Sequence, residues 1–179
     1  MTKYVALLRG VNVGGNKMVS MAALRVAIEK MGFSDVRTVL QSGNVVFGSS
    51  ARASAPLERA LETEVEACLK CRADFHVRTS KEWEDLVARN PFVEEAERDP
   101  GHLLVLFFKA PLDKAKVKVL QAAIPGRERI HADGRHLYVV FPDGMGTSKL
   151  PPLMDRTLGV RGTGRNWNTV LKLCALAGS

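Results

Sequence analysis

The sequence predicts an α+β fold made of two copies of one small unit, and three observations lead there. Strand-like and helix-like patterns follow one another as β-α-β-β-α-β over the first part of the chain. The same order restarts at His102, an offset of about 100 residues between element starts. The composition, with 46% hydrophobic, 25% charged and 6% aromatic residues in 179, is that of a globular chain and excludes a disordered, collagenous or membrane-spanning one. Two crossovers and one hairpin in this order make a four-stranded antiparallel sheet with both helices on one face, the arrangement of a ferredoxin-like unit. The expected organisation is two ferredoxin-like subdomains related by duplication, residues 1–80 and 102–179, joined by a connecting segment 81–101. The second copy is expected to be modified at its C-terminus, where it carries an extra helix.

In the first copy, Lys3 to Leu8 reads as a strand, and a polar Gly-rich loop runs from Arg9 to Val19. Ser20 caps the following helix, Leu24, Ala27, Ile28 and Met31 share its apolar face, and Gly32 stops it. Val36–Leu40 and Asn44–Phe47 form a hairpin about Gln41-Ser42-Gly43. A helix starts near Ser54, a second candidate cap, with Pro56 in its first turn and Leu57, Leu61, Val65, Cys68 and Leu69 as its buried stripe. Phe75 to Arg78 closes the unit. Ser80 to Ala88 is a short helix contacting the core through Trp83, Leu86 and Val87, and the prolines at 91 and 100 interrupt regular structure.

In the second copy, His102–Phe108 is an apolar strand, Leu112–Ala123 a helix, and Arg127–His131 and Leu137–Phe141 a hairpin turned by Asp133-Gly134. Ser148–Leu158 is helical, with Pro151 and Pro152 confined to its beginning. A last strand has to fit into Val160–Thr163 or be missing, and Trp167–Leu176 is the final helix.

Net charge is +7, and its distribution is uneven: residues 1–99 hold 14 basic and 14 acidic side chains, residues 100–179 hold 12 and 5. Such a bias draws polyanions without specifying one. The short apolar stretch Val5–Leu8 ends at Arg9-Gly10 before a signal-peptide core can form, so a cytoplasmic location and no membrane partner are expected. Cys68-Leu69-Lys70-Cys71 has the spacing of half a zinc site or a dithiol. It falls in a predicted helix with no second ligand pair, so small residues on a helix face explain it. Glu58, Glu62 and Glu66 read as a charged outer helix face, and four scattered histidines lack helical metal-ligand spacing. No nucleophile, base and oxyanion donor occur together, and nothing calls for a cofactor or metal.

Three polar segments carry candidate ligand-binding residues. The first follows the first strand: Arg9, Asn12, Asn16 and Lys17 surround glycines whose backbone can hold an anion, although Asn16 stands where a nucleotide-phosphate loop requires Lys. The second is the hairpin segment with Gln41 and Asn44, which equally suits the turn itself. The third is Lys149 with Arg165 and Asn166, where Asn166 is also placed to cap the last helix. Converging, these would combine guanidinium forks with directional amides.

Leu8-Arg9-Gly10-Val11-Asn12-Val13-Gly14-Gly15-Asn16-Lys17, Gln41-Ser42-Gly43-Asn44-Val45-Val46-Phe47 and Gly162-Thr163-Gly164-Arg165-Asn166-Trp167-Asn168-Thr169-Val170 closely resemble the uncharacterised bacterial family named domain of unknown function 1697. The resemblance spans nearly the whole chain and implies a pair of ferredoxin-like subdomains. It implies no established activity, substrate or cofactor, and so assigns no catalytic residue. The expected function is binding of an anionic ligand, nucleic acid or a phosphorylated metabolite. The other readings are an enzyme acting on a small anionic substrate, marked by a closed pocket, and a protein-interaction module, marked by an exposed apolar patch around Trp83 or Phe92.

Overall fold

The computed structural model describes residues 1–10, 19–50 and 53–178. Elements follow as β1 (Thr2–Arg9), α1 (Met21–Lys30), β2 (Ser34–Val39), β3 (Asn44–Ser49), α2 (Ser54–Leu69), β4 (Asp74–Thr79), α3 (Ser80–Ala88) and α4 (Val93–Arg98). Then come β5 (Leu103–Phe107), α5 (Lys114–Ala123), β6 (Arg129–Asp133), β7 (His136–Val140), α6 (Leu150–Leu158), β8 (Thr163–Asn166) and α7 (Trp167–Gly178). The fold is α+β, with two similarly organised sheets of order β2-β3-β1-β4 and β6-β7-β5-β8, every neighbouring pair antiparallel. Two compact units result: Met1–Ala88 with Lys172–Ser179, and Arg89–Leu171. Among the described residues no helix is long and apolar enough to cross a membrane.

The central strands of the two sheets pair in the same pattern, so their residues can be set in correspondence. Val5 lies opposite Val46 and Arg78, and Val105 opposite Tyr138 and Arg165. Leu7 lies opposite Asn44 and His76, and Phe107 opposite His136 and Thr163. By the same register Thr79 corresponds to Asn166, and each caps the helix that follows: Glu82 N donates to Thr79 Oγ1 at 3.1 Å, and Thr169 N to Asn166 Oδ1 at 3.0 Å. The second copy therefore does end on a strand, placed at Thr163–Asn166 rather than Val160–Thr163, and in each copy a helix follows directly. Gly162 explains the late start. A Cβ there would lie 2.8 Å from the Phe107 carbonyl oxygen, so the chain crosses the end of β5 at Gly162 before it can pair.

In the first unit Ser20 caps α1, accepting from Ala23 N at 3.4 Å, and Gly32 with φ 81° follows its end. Tyr4, Ala6, Leu8, Val45, Phe47 and Val77 pack against Leu24, Ile28, Leu57, Leu61 and Val65 of α1 and α2. Val5, Leu7 and Val46, on the other face of the sheet, are buried as well. Helix α3 packs on β1 and β4, and its Trp83 is fully buried. Phe92 is buried too, while Val93 beside it is exposed.

Four local expectations are corrected. Ser54 is the first helical residue of α2, behind an Ala53 cap that makes no side-chain bond. The strand expected at Arg127–His131 is Arg129–Asp133, and its two-residue loop is Gly134-Arg135 with Gly134 at φ 57°. A shift of two keeps the same residues facing the core, which is why alternation alone does not reveal it. Helix α4 escapes sequence reading because six residues between prolines show no periodicity. It starts on an Asn90 turn, with Phe92 N donating to Asn90 Oδ1 at 3.0 Å.

The fourth correction concerns α2. Of Glu58, Glu62 and Glu66, only Glu66 is on the solvated face expected of them: Glu58 is buried and accepts from Val77 N at 2.8 Å, and Glu62 accepts from Phe75 N at 2.9 Å. Glu82 accepts from Thr79 N at 2.8 Å. Alternate outward N–H groups of the edge strand β4 are thus each met by a carboxylate, which closes that edge to further pairing. In the second unit Asp113 caps α5 through Ala115 N at 2.8 Å, and Phe108, Leu120, Leu137, Val139 and Leu158 belong to its core.

Candidate functional site

The two units are taken one at a time. In the first, β1 ends at Arg9, followed by Gly10 at φ 86°. Leu8 N donates to Gly43 O at 2.8 Å, so the loop 40–43 and the end of β1 share one end of the sheet. Arg9, Gln41 and Asn44 thereby lie at that end, and Asn12, Asn16 and Lys17 fall outside the described residues. Asn44 is buried, and its Nδ2 donates to Val39 O at 2.8 Å and Ser42 Oγ at 2.9 Å, so its amide holds the hairpin. The same loop keeps Leu40 at φ 60° and nearly half exposed, a conformation that costs a non-glycine residue about 1–2 kcal/mol.

Arg9 has a protein partner: its Nη1 stands 3.2 Å from Asp74 Oδ2. A cleft of about 280 Å³ beside it is lined by Gly10, Glu62, Glu66, Arg72 and Asp74. Arg72 pairs with Glu66 at 2.8 Å. Two guanidiniums face three carboxylates there, so an anion approaching Arg9 competes with Asp74 and meets an acidic surround.

In the second unit Arg165 is buried on β8, and its Nη1 donates to Thr163 Oγ1 and Gly164 O, both at 2.8 Å. Burial pulls its pKa down to about 10, which leaves the guanidinium charged at neutral pH. Asn166 is the α7 cap already described. Lys149 is exposed at the start of α6. Arg165 and Asn166 lie opposite Val105 and Leu104, in the middle and N-terminal part of β5, whereas Arg9 and Asn44 lie at the C-terminal end of β1, its counterpart. The two sets occupy different levels of the repeat.

Sequence reading missed a cationic group in the second unit. Helices α5 and α6 pack side by side and run antiparallel, as the strands they follow require, and Lys116 Nζ donates to Leu158 O at 3.1 Å. Lys114, Lys118, Arg156 and Arg161 are exposed and have no carboxylate partner among the described residues, nor has Lys149. Other arginines of the unit are engaged: Arg127 with Asp143, Arg129 with Glu95, and Arg89 with Asp133 at 3.2 Å. The available signal was Lys114-Ala115-Lys116-Val117-Lys118, three lysines at alternate positions of a helix.

Cys68 is exposed and Cys71 lies beyond the left-handed Lys70 that ends α2, so the pair is neither buried nor wholly helical, contrary to expectation. The Cys68 thiol bonds Glu64 Oε1 at 2.8 Å, and that bond, ahead of desolvation, raises its pKa, the opposite of an activated thiol. His131 and His136 meet different aromatics, Tyr138 at 6.3 Å and Phe107 at 5.4 Å between ring centroids. Among the described residues no three His, Cys, Asp or Glu side chains group to hold a metal.

The sequence profile of the family described as protein of unknown function (DUF1697) matches residues 1–138. The solved structure of conserved bacterial protein SP0830 from Streptococcus pneumoniae is similar over 98% of both chains, at 25% identity and a TM-score of 0.75. No curated protein matches the chain.

Proposed function

We propose that this chain, which belongs to the DUF1697 family of uncharacterised bacterial proteins, is an anion-binding protein whose ligand is nucleic acid or a small phosphorylated molecule. The observation that carries the reading is where the excess charge of the second unit resides. It sits on exposed lysines and arginines without carboxylate partners, which outnumber the neighbouring aspartates Asp113 and Asp155. Lys149 supplies charge in this reading, and Arg165 with Asn166 adds a guanidinium and an amide to the same unit. In the first unit Arg9 and Lys17 supply charge, and Asn12, Asn16, Gln41 and Asn44 supply directional hydrogen bonds beside the loop after β1.

We read each unit as ferredoxin-like, because β-α-β-β-α-β with the first and third strands adjacent and the second and fourth at the edges is the topology of that fold. A cytoplasmic site of action accords with three free cysteines.

Fluorescence anisotropy with single-stranded and duplex DNA and RNA, and calorimetry with small phosphorylated compounds, test the reading. Binding at low salt that weakens steeply as salt rises is expected of the nucleic-acid ligand. Arg9→Ala and Arg165→Ala are each expected to weaken binding by about 1.5–3 kcal/mol, the range of charge-assisted hydrogen bonds, beyond any loss of folding seen in denaturant melts. A folded, monodisperse sample that binds no member of either panel overturns the reading. Affinity unchanged in both variants, or lost only through unfolding, removes these arginines from the site.

A further inference from the structure

We infer that the α5–α6 face of the second unit is a docking site for the phosphate backbone of double-stranded nucleic acid, an inference that deepens the anion-binding reading and rests on it. The bond from Lys116 Nζ to Leu158 O ties the first turn of α5 to the end of α6. Lys114 and Lys118 lie two residues either side of Lys116 on α5, and Arg156 and Arg161 lie two residues before and three after Leu158. Lys114 and Lys118 are about 6 Å apart along the axis, since each residue rises about 1.5 Å. Lys149, at the far end of α6, extends the exposed cations along the helix. The core-facing Val117 and Leu120 of α5 and Leu150, Met154 and Leu158 of α6 hold both helices against the sheet, so the cations stand on a rigid support.

Two features select duplex over single strand. Single-strand binders stack bases on exposed aromatic rings, and sheet-based RNA readers present such rings on an open sheet. Every Phe, Tyr and Trp of this chain lies within the described residues, and none is exposed; Tyr138 and Phe107, on the face of the second sheet away from α5 and α6, are fully buried. Without an exposed Phe, Tyr or Trp ring, recognition falls mainly to phosphates, which a duplex presents at about one charge per 1.7 Å of axis. The exposed neighbours on α5, Ala115, Val119 and Ala122, are short enough for a backbone to approach the lysines.

The test uses the full chain, a blunt mixed-sequence duplex of DNA and of RNA, the matching single strands, and vesicles of anionic phospholipid. With four phosphate contacts the log-log salt slope is expected near −3.6, about a hundredfold loss of affinity between roughly 50 and 200 mM salt. Lys118→Ala with Arg156→Ala is expected to make that slope shallower by about 1.8, and adding Lys114→Ala and Arg161→Ala to abolish duplex binding. These side chains are exposed, so denaturant melts of the variants should match the parent. Duplex binding that survives all four substitutions overturns this site and leaves the anion-binding reading standing, whereas a parent chain that binds nothing anionic ends both. Tighter binding to single strands than to duplexes, or binding to vesicles alone, also overturns the inference.

Discussion

At the residue scale, carboxylates decide more than the charge count suggests. Glu58 lies one helical turn from Glu62, a spacing that in sequence reads as solvated charge, yet the helix sets both against the edge strand β4. Removing Glu58 leaves Val77 N–H buried beside an edge with no solvent to replace its acceptor. Glu58→Ala is expected to cost about 1.5–3 kcal/mol in a denaturant melt, and Glu58→Gln distinctly less, because the amide oxygen still accepts. Equal losses in the two variants would show that the carboxylate is not acting as the acceptor for that edge. Burial works in the same way on Arg165: it stands in a polar stretch of sequence, and the strand register sets it among buried residues.

At the scale of elements, helix ends and strand starts follow from single backbone requirements. Asn166 and Ser20 were recognisable as caps because a short polar side chain precedes an apolar helical pattern, while Ser54, with the same local signal, lies one residue inside its helix. The position of β8 depended on something no local pattern shows, the approach of Gly162 to the Phe107 carbonyl. Gly162→Ala forces that contact apart. It is expected to destabilise the second unit by about 1–3 kcal/mol, the range for overpacking, read from its thermal or denaturant midpoint. A variant as stable as the parent would mean that β8 is placed by its pairing with β5 alone.

At the scale of the whole molecule, each unit carries one tryptophan, Trp83 in the first and Trp167 in the second, both buried. Emission should therefore be blue-shifted and poorly quenched by acrylamide in the native chain, and Trp83→Phe and Trp167→Phe should leave single reporters for the separate units. A red-shifted, readily quenched native spectrum from either variant would contradict the burial of the remaining ring. The two sheets share strand order and central register, but their surfaces have diverged in charge. The first unit faces the end of β1 with Glu62, Glu66 and Asp74, and the second carries unpartnered cations on α5 and α6.

By itself the sequence determined the order of the elements apart from α4 and the last strand, the two-fold repetition and most of the hydrophobic faces, because periodicities of 3.6 and 2 are local properties that any burying partner must respect. Caps and glycine stops were legible for the same reason. Of the candidate residues, the sequence marked the polar segments but not their bonds, since the partners of Asn44, Asn166 and Arg165 are supplied only by the hairpin, the helix start and the strand. Register, edge protection and charge clustering were decided by tertiary structure. They depend on which residues far apart along the chain come to lie side by side, as Lys116 does with Leu158, and no local pattern encodes that distance.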